Sequence, residues 1–469
     1  MTNKNEQPGE SFRDSLATID ESGNRKWVFP KMPKGKFTRA RNWVNAALLT
    51  FLFAAPFVRI DGQPMLQFNL LERKFILFGQ VFWPQDFFLF VIAMLVMIVF
   101  IALFTVVYGR IFCGWVCPQT IFMEGVFRKI EYWIEGDWKQ QMRLNKMPWN
   151  SEKTRKKVIK HFIFFAISFI IANTFLAYII GSDELFRIIT DPPTEHIAGL
   201  AALTVFSGAF YGVFAHFREQ VCTTVCPYGR LQGVLLDRQS VVVAYDHFRG
   251  EPRGKFRKNE DRDEVGKGDC IDCGHCVHVC PTGIDIRNGT QLECVNCTAC
   301  IDACDEMMEA VDLPTGLIRY TSEEQIQTRK PFKLSGRAKA YTILLAVLIG
   351  VLVSLLATRT SVEANILRTP GMLFQKNDDG TISNLYNYKI INKTNSDLTL
   401  RVEPLNDDFT LKFIGTLPEL KSQDVAEGAF FLYAPKDAFE SGKARTKLGV
   451  YDSEGELLET VKIDIAGPL

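Results

Sequence analysis

Runs of about 20 apolar residues alternate along this chain with stretches rich in Lys, Arg, Asp and Glu. A bilayer core takes about 20 mostly apolar residues in helix. Five segments approach that length: Trp43–Ile60, Phe87–Tyr108, Phe162–Ile180, Ile197–Ala215 and Ala340–Thr358. The first is the weakest, because Pro56 lies inside it and Arg59 near its end. The second, FFLFVIAMLVMIVFIALFTVVY, carries no charge at all, which a soluble fold seldom tolerates over such a length. The pattern predicts a multi-domain membrane protein with five transmembrane α-helices.

Flanking charge orients the spans. Arg25, Lys26, Lys31, Lys34, Lys36, Arg39 and Arg41 precede the first, and a basic run from Arg110 to Lys160 joins the second to the third. The short loop from Gly181 to Glu195 is acidic apart from Arg187. The N-terminus and the stretch Phe217 to Lys339 are therefore expected in the cytoplasm, and five spans put the C-terminal part outside. The first 40 residues lack an apolar segment with a cleavage site, so no cleaved signal peptide is expected. No ionisable side chain sits mid-span, which argues against an ion pathway or a haem held by two imidazoles. His161, His196 and His216 fall at span ends and read as interfacial residues.

Beyond about Arg359 the period changes to two. Tyr386, Tyr388 and Ile390 alternate, as do Leu398, Leu400 and Val402, then Phe409, Leu411 and Phe413, then Val461, Ile463 and Ile465. Turn signals at Asn377-Asp378-Asp379-Gly380, Asn406-Asp407-Asp408 and Ser453-Glu454-Gly455 separate them. Short alternating strands between such turns predict an immunoglobulin-like β-sandwich. It holds no cysteine and no catalytic constellation, so docking is its expected role.

The chemistry lies in the cysteines. All 12 fall between Cys113 and Cys304, a clustering unlike a secreted disulfide framework. The formal net charge of +1 over 469 residues gives no support for a nucleic-acid partner. Cys270, Cys273, Cys276 and Cys280-Pro281 spell C-x-x-C-x-x-C-x-x-x-C-P, and Cys294, Cys297, Cys300 and Cys304 repeat the spacing. This is the bacterial two-cluster ferredoxin pattern, in which the fourth cysteine of each run serves the other cluster. It assigns Cys270, Cys273, Cys276 and Cys304 to one [4Fe-4S] cluster and Cys294, Cys297, Cys300 and Cys280 to a second. Two zinc sites are the competing reading, but structural zinc usually takes two separated pairs of ligands. His275 and His278 inside the first run are read as packing or solvent-facing residues.

A second motif recurs where spans end: Cys113-G-W-V-Cys117-Pro118 and Cys222-T-T-V-Cys226-Pro227. It marks spans one and two, and three and four, as an internal repeat. If C-x-x-x-C is helical, both thiols lie at i and i+4 on one face. Two such motifs at one membrane surface would converge as four thiolates, a soft set that selects copper(I), zinc or iron–sulfur iron. Ile121, Phe122, Val126, Ile130, Trp133 and Ile134 then recur at helical spacing, as in a helix lying on the cytoplasmic leaflet or one facing a core. The charged stretch Arg249–Asp269 reads as a solvated linker.

Together these features define a cytoplasmic tail (1–42), a four-helix region with both CxxxCP motifs (43–217), a cytoplasmic region (218–339) with the ferredoxin insert at about 262–312, a fifth span (340–358) and an outer domain (359–469). Over nearly the whole chain they resemble the cytochrome c oxidase accessory protein family CcoG, also called FixG or RdxA. The resemblance implies a bacterial inner-membrane location with a periplasmic C-terminal domain. It further implies an oxidoreductase that reduces copper(II) to copper(I) for assembly of a cbb-type cytochrome c oxidase. Its expected partners are a cytoplasmic electron donor, copper-handling proteins and the oxidase assembly machinery. By the same resemblance Cys113, Cys117, Cys222 and Cys226 would be the copper-handling or electron-relay thiols. An electron conduit between a quinone pool and a partner enzyme is an alternative, as is an assembly scaffold or redox sensor with structural clusters.

Overall fold

The structure, a computed structural model, describes residues 18–468 apart from 20–21, 23, 71–73, 259, 263, 372–373, 378–379, 416–418 and 440–441. Residues 1–17 of the expected N-terminal tail and the middle of the turn at Asn377–Gly380 therefore lie outside the described residues. Two compact units emerge: residues 1–57 with 91–350, and residues 58–90 with 351–469.

Among the described residues, four helices are long and apolar enough to cross a membrane: Phe87–Tyr108, Ser151–Ile180, Ile197–Phe217 and Gly336–Ala357. The first expected span is only partly of this kind. Its helix runs Lys36–Ala54, so it starts seven residues before Trp43 and takes in Arg39, Arg41 and Asn45. Pro56, which cannot continue a helix, follows its end. The helix thus spends its first turns on polar residues, two of which, Arg41 and Asn45, are buried.

In the first unit the segment after Cys117 faces a protein core. Phe127 is fully buried between Phe164, 4.8 Å away edge-on, and Phe214, 4.7 Å away and stacked. Met123–Phe127 is a π-helical turn joining helices Pro118–Phe122 and Arg128–Glu135. The reading as a helix on the leaflet is corrected here. Trp133 points outward, while Arg128, Glu131 and Glu135 are buried, because each finds an opposite charge inside. The ferredoxin-like part is closed by an antiparallel pair, Val242–Tyr245 with Ile318–Thr321, and carries the helix Ala299–Ala310. The stretch after Arg249 has no regular structure beyond its first residues, but it is anchored: Arg249 pairs with Asp269, and Arg262 is buried.

The second unit is a β-sandwich. One sheet orders Thr410–Phe413, Val425–Ala434, Ile382–Asn392 and Val362–Arg368, and the other orders Arg401–Pro404, Lys443–Tyr451 and Leu457–Ala466. Tyr386, Tyr388, Ile390, Phe430, Leu448 and Ile463 fill the space between. Fully burying a side chain such as Phe430 contributes about 1.5–3 kcal/mol. Strands Leu66–Asn69, Lys74–Leu77 and Gln80–Phe82 form a small sheet in the same unit. Asp86, at the foot of the uncharged helix, accepts from Lys393 at 2.7 Å and Arg359 at 2.8 Å.

Candidate functional site

Eight cysteines line two cavities. Cys270, Cys273, Cys276 and Cys304 share one with Tyr245, Arg287 and Met308. Cys280, Cys294, Cys297 and Cys300 share the other with Pro281, Thr298 and Val295, and Cys276 also reaches it. The helix Ala299–Ala310 supplies Cys300 to one cavity and Cys304, a turn later, to the other.

The two loops have one backbone. Asp272 (φ +52°) and Gly274 (φ +68°) flank Cys273, and Asn296 (φ +54°) and Thr298 (φ +66°) flank Cys297. Left-handed residues alternating with right-handed ones turn successive N–H groups inward and make a concavity for an anion, as at many iron–sulfur sites. Three of these four residues are not glycine, so the loops hold a conformation that ordinary residues adopt only under constraint. Apart from the cysteine spacing, no residue pattern announces this symmetry.

Thiol spacing gives no support to zinc. Tetrahedral zinc with bonds of about 2.3 Å holds its sulfurs roughly 3.8 Å apart. Among the described residues, only Asp191, Glu195 and His196 bring three ligand atoms within 4.8 Å of one another; no three thiols do. A cube binds each thiolate to a different iron and so spreads them. Burial pushes the thiols of Cys276, Cys294 and Cys304 up to about 12. Metal binding displaces those protons to solvent and leaves the thiolates as ligands.

The repeated motif takes a different form from the expected i, i+4 helix. Helix Ile111–Trp115 ends before Cys117, which is extended (φ −60°, ψ 127°) and precedes Pro118 at the start of the next helix. Cys226 (φ −68°, ψ 115°) stands in the same way before Pro227, after a π-helical turn Val221–Val225. The cause is the proline, whose ring disfavours helical geometry in the residue before it. The thiols nevertheless gather. Cys113 and Cys222 pack in one group with Val295, Cys297 and Cys300, against the wall of the second cavity. Gly114 makes that approach possible: a Cβ there would lie 2.5 Å from the Val295 carbonyl oxygen. Burial raises Cys117 and pushes Cys222 up to about 12, with the other thiols of the set adding to both shifts.

Residues of the expected tail also reach the site. Phe37 and Thr38 donate backbone N–H groups to Asp302 at 3.0 and 2.7 Å, which fixes the start of the first helix beside Cys300 and Cys304. Arg41 donates to the Cys297 carbonyl at 2.7 Å, and Arg262 to the Cys270 carbonyl at 3.0 Å. Only the run of basic residues hinted at this in the sequence. Nearby, Arg218 grips Glu131 with two bonds of 3.0 and 2.7 Å, and Lys160 lies 3.5 Å from the same carboxylate. His278 stacks on Trp138 at 4.9 Å, and His196 pairs with Asp191 at 3.1 Å.

Comparison with known proteins agrees with this geometry. Residues 217–323 match the model of a 4Fe-4S dicluster domain, residues 90–139 that of a 4Fe-4S binding domain, and residues 352–468 that of the Ig-like fold at the C-terminus of FixG. Protein RdxA of Cereibacter sphaeroides is 36% identical over 80% of this chain and 81% of its own length. Nitrogen fixation protein FixG of Rhizobium meliloti is 34% identical over 78% of this chain and 77% of its own. Protein RdxB of Cereibacter sphaeroides is 36% identical over 79% and 80%.

Proposed function

The chain belongs to the family of RdxA, RdxB and FixG and is a membrane iron–sulfur electron-transfer protein; from that premise we propose that it reduces copper(II) to copper(I), in support of copper delivery and assembly of a cbb-type cytochrome c oxidase. When bound, two four-iron cubes supply one-electron carriers, with Cys270, Cys273, Cys276 and Cys304 holding the first and Cys294, Cys297, Cys300 and Cys280 the second.

The observation that carries the reading is the packing of Cys113 and Cys222 on the wall of the second cavity. The repeated thiols share a dry, close-packed boundary with that cavity, which is what an electron outlet needs. We assign Cys113, Cys117, Cys222 and Cys226 to that outlet. Copper(II), as substrate, takes up one electron and leaves as copper(I). Soft sulfur favours the copper(I) product, which biases the transfer forward. A cytoplasmic donor supplies the electron.

Basic flanks support a cytoplasmic position for the cysteine-bearing unit in a bacterial inner membrane. With Lys36–Ala54 as a fifth span beside the four apolar helices, the chain crosses an odd number of times and its C-terminal part lies in the periplasm. We propose the domain limits expected from the sequence, with the ferredoxin insert at about 262–312.

The test is cupric reduction by protein in sealed vesicles with a reductant on the cytoplasmic face. Changing Cys113, Cys117, Cys222 and Cys226 together to Ala should lower the rate at least about tenfold, a loss of roughly 1.4 kcal/mol of transition-state stabilisation. Equal rates would remove the outlet from these thiols.

A further inference from the structure

We infer that Cys113, Cys117, Cys222 and Cys226 together hold a third [4Fe-4S] cube, built across the two halves of the internal repeat. The inference rests on the electron-transfer reading above and gives the outlet a resident carrier.

Four observations converge on it. First, thiols of two separate segments meet: Cys113 and Cys222 share a packed group, and each is followed four residues on by a second cysteine, Cys117 or Cys226, at the start of a proline-led helix. Second, the gathering is looser than a single ion on three or four thiolates would draw it. A single zinc or copper(I) ion on three or four thiolates draws its sulfurs to roughly 4 Å or less. No three of these thiols lie within 4.8 Å of one another, and the same is true of the eight in the ferredoxin loops.

Third, residues 90–139 match a 4Fe-4S binding model, yet that stretch contains only Cys113 and Cys117. Four thiolates are needed to hold such a cube. Cys222 and Cys226, the counterparts of these two in the second half of the repeat, supply the missing pair. Their backbones match: each second cysteine is extended before a helix-starting proline, and its N–H returns five residues, Cys117 to Phe112 at 2.9 Å and Cys226 to Val221 at 2.7 Å.

Fourth, a buried cation is in place. Four thiolates around a cube leave net negative charge in a dry site, which a nearby cation must offset. Arg110 is 4% exposed, and its Nε has no hydrogen-bond partner. Its guanidinium lies 3.1 Å from the position of a Cβ on Gly229, which would also meet the Cys222 carbonyl, and it donates to the carbonyl of Leu292, two residues before Cys294. Loading involves no net redox change. A preformed cube is accepted from an iron–sulfur carrier protein, four cysteine S–H bonds give way to four S–Fe bonds, and four protons go to solvent.

The experiment is metal and sulfide analysis of the full chain, purified without oxygen in detergent, with EPR of the reduced protein. Wild type should hold about twelve iron atoms and twelve acid-labile sulfides per chain, four of each for every cube. C113A/C117A/C222A/C226A should hold about eight of each and keep the EPR signals of both ferredoxin-type cubes. Arg110→Met should shift the midpoint potential of the additional signal downward while leaving the spectrum of the cube nearest Cys273 unmoved. About eight irons in wild type overturns the inference, whether the four thiols then carry copper or are oxidised in pairs. Should the quadruple variant fail to accumulate, the wild-type count decides alone. Eight irons with intact cupric reduction sinks the third cube and leaves the copper reading standing; twelve irons without cupric reduction does the reverse.

Discussion

Arg41 donates from Nη1 to the carbonyl oxygen of Cys297 at 2.7 Å, across more than half of the sequence. The residue is buried, and its charge lies at the centre of the second CxxC loop. A fixed positive charge stabilises the more negative, reduced state of a cluster. Arg41→Gln should therefore lower the potential of the second cube by a few tens of millivolts, a tenfold change in a one-electron equilibrium being about 59 mV. Redox titration followed by EPR reads this directly. An unchanged potential would reduce Arg41 to a packing role.

Crossed ligation has its own signature. Cys304 lines the cavity of the first run and Cys280 that of the second. Cys304→Ser should disturb the cube of Cys270, Cys273 and Cys276 and spare the other; Cys280→Ser should do the opposite. Loss of the first cube from Cys280→Ser would mean that each run serves itself. EPR lineshape and iron content of the two variants separate the cases.

The buried pair Glu131 and Arg218 tests stability. Burial pushes the Glu131 carboxyl up, but Arg218, Lys160 and Arg128 outweigh that and hold it below the usual range. Removing Arg218 takes away both close hydrogen bonds of Glu131 and leaves Lys160 at 3.5 Å as its remaining partner, so the cost approaches but stays under the roughly 3–5 kcal/mol of a fully orphaned buried charge. Arg218→Met should thus lower the melting temperature in detergent sharply. The double variant Glu131→Gln with Arg218→Met should recover part of the loss. Arg218 also holds φ +53°, so Arg218→Gly separates backbone strain from charge.

Asp86 gives a pH dependence. Burial raises its carboxyl, yet the hydrogen bonds of Lys393 and Arg359 prevail and hold it below its ordinary value. A depressed folded pKa means that this stability is complete above the unfolded value of about 3.9 and is lost as pH falls through the folded value. Unfolding of the sandwich unit, followed by limited proteolysis, should accelerate below about pH 4. Asp86→Asn should open that unit faster at neutral pH and flatten the acid response.

Much of this was legible in the chain because it depends on local pattern. Uncharged runs such as Phe87–Tyr108 must lie in a membrane-length helix, and eight evenly spaced cysteines fix two metal loops. Alternation located Tyr386 to Ile390 and Val461 to Ile465 in strands, although Val425–Ala434 and Lys443–Tyr451, whose alternation is diluted by Gly428 and Gly449, were not anticipated. The condition of a helical CxxxC, which would set both thiols on one face, is not met, because the proline after Cys117 and Cys226 turns each second cysteine out of the helix. The contacts of Arg41 and Thr38 escaped because they join residues far apart in sequence, where a basic run reads only as a membrane flank. Burial of Glu131 escaped for a similar reason: its partners Lys160 and Arg218 come from two other segments.

Everything rests on thiolates that hold iron and sulfide. Oxygen-protected protein, assayed for iron, acid-labile sulfide and zinc, answers this in a single preparation. The account predicts brown material with iron and sulfide in equal amounts, at least about eight of each per chain, and no stoichiometric zinc. Colourless protein carrying zinc and no sulfide would contradict it.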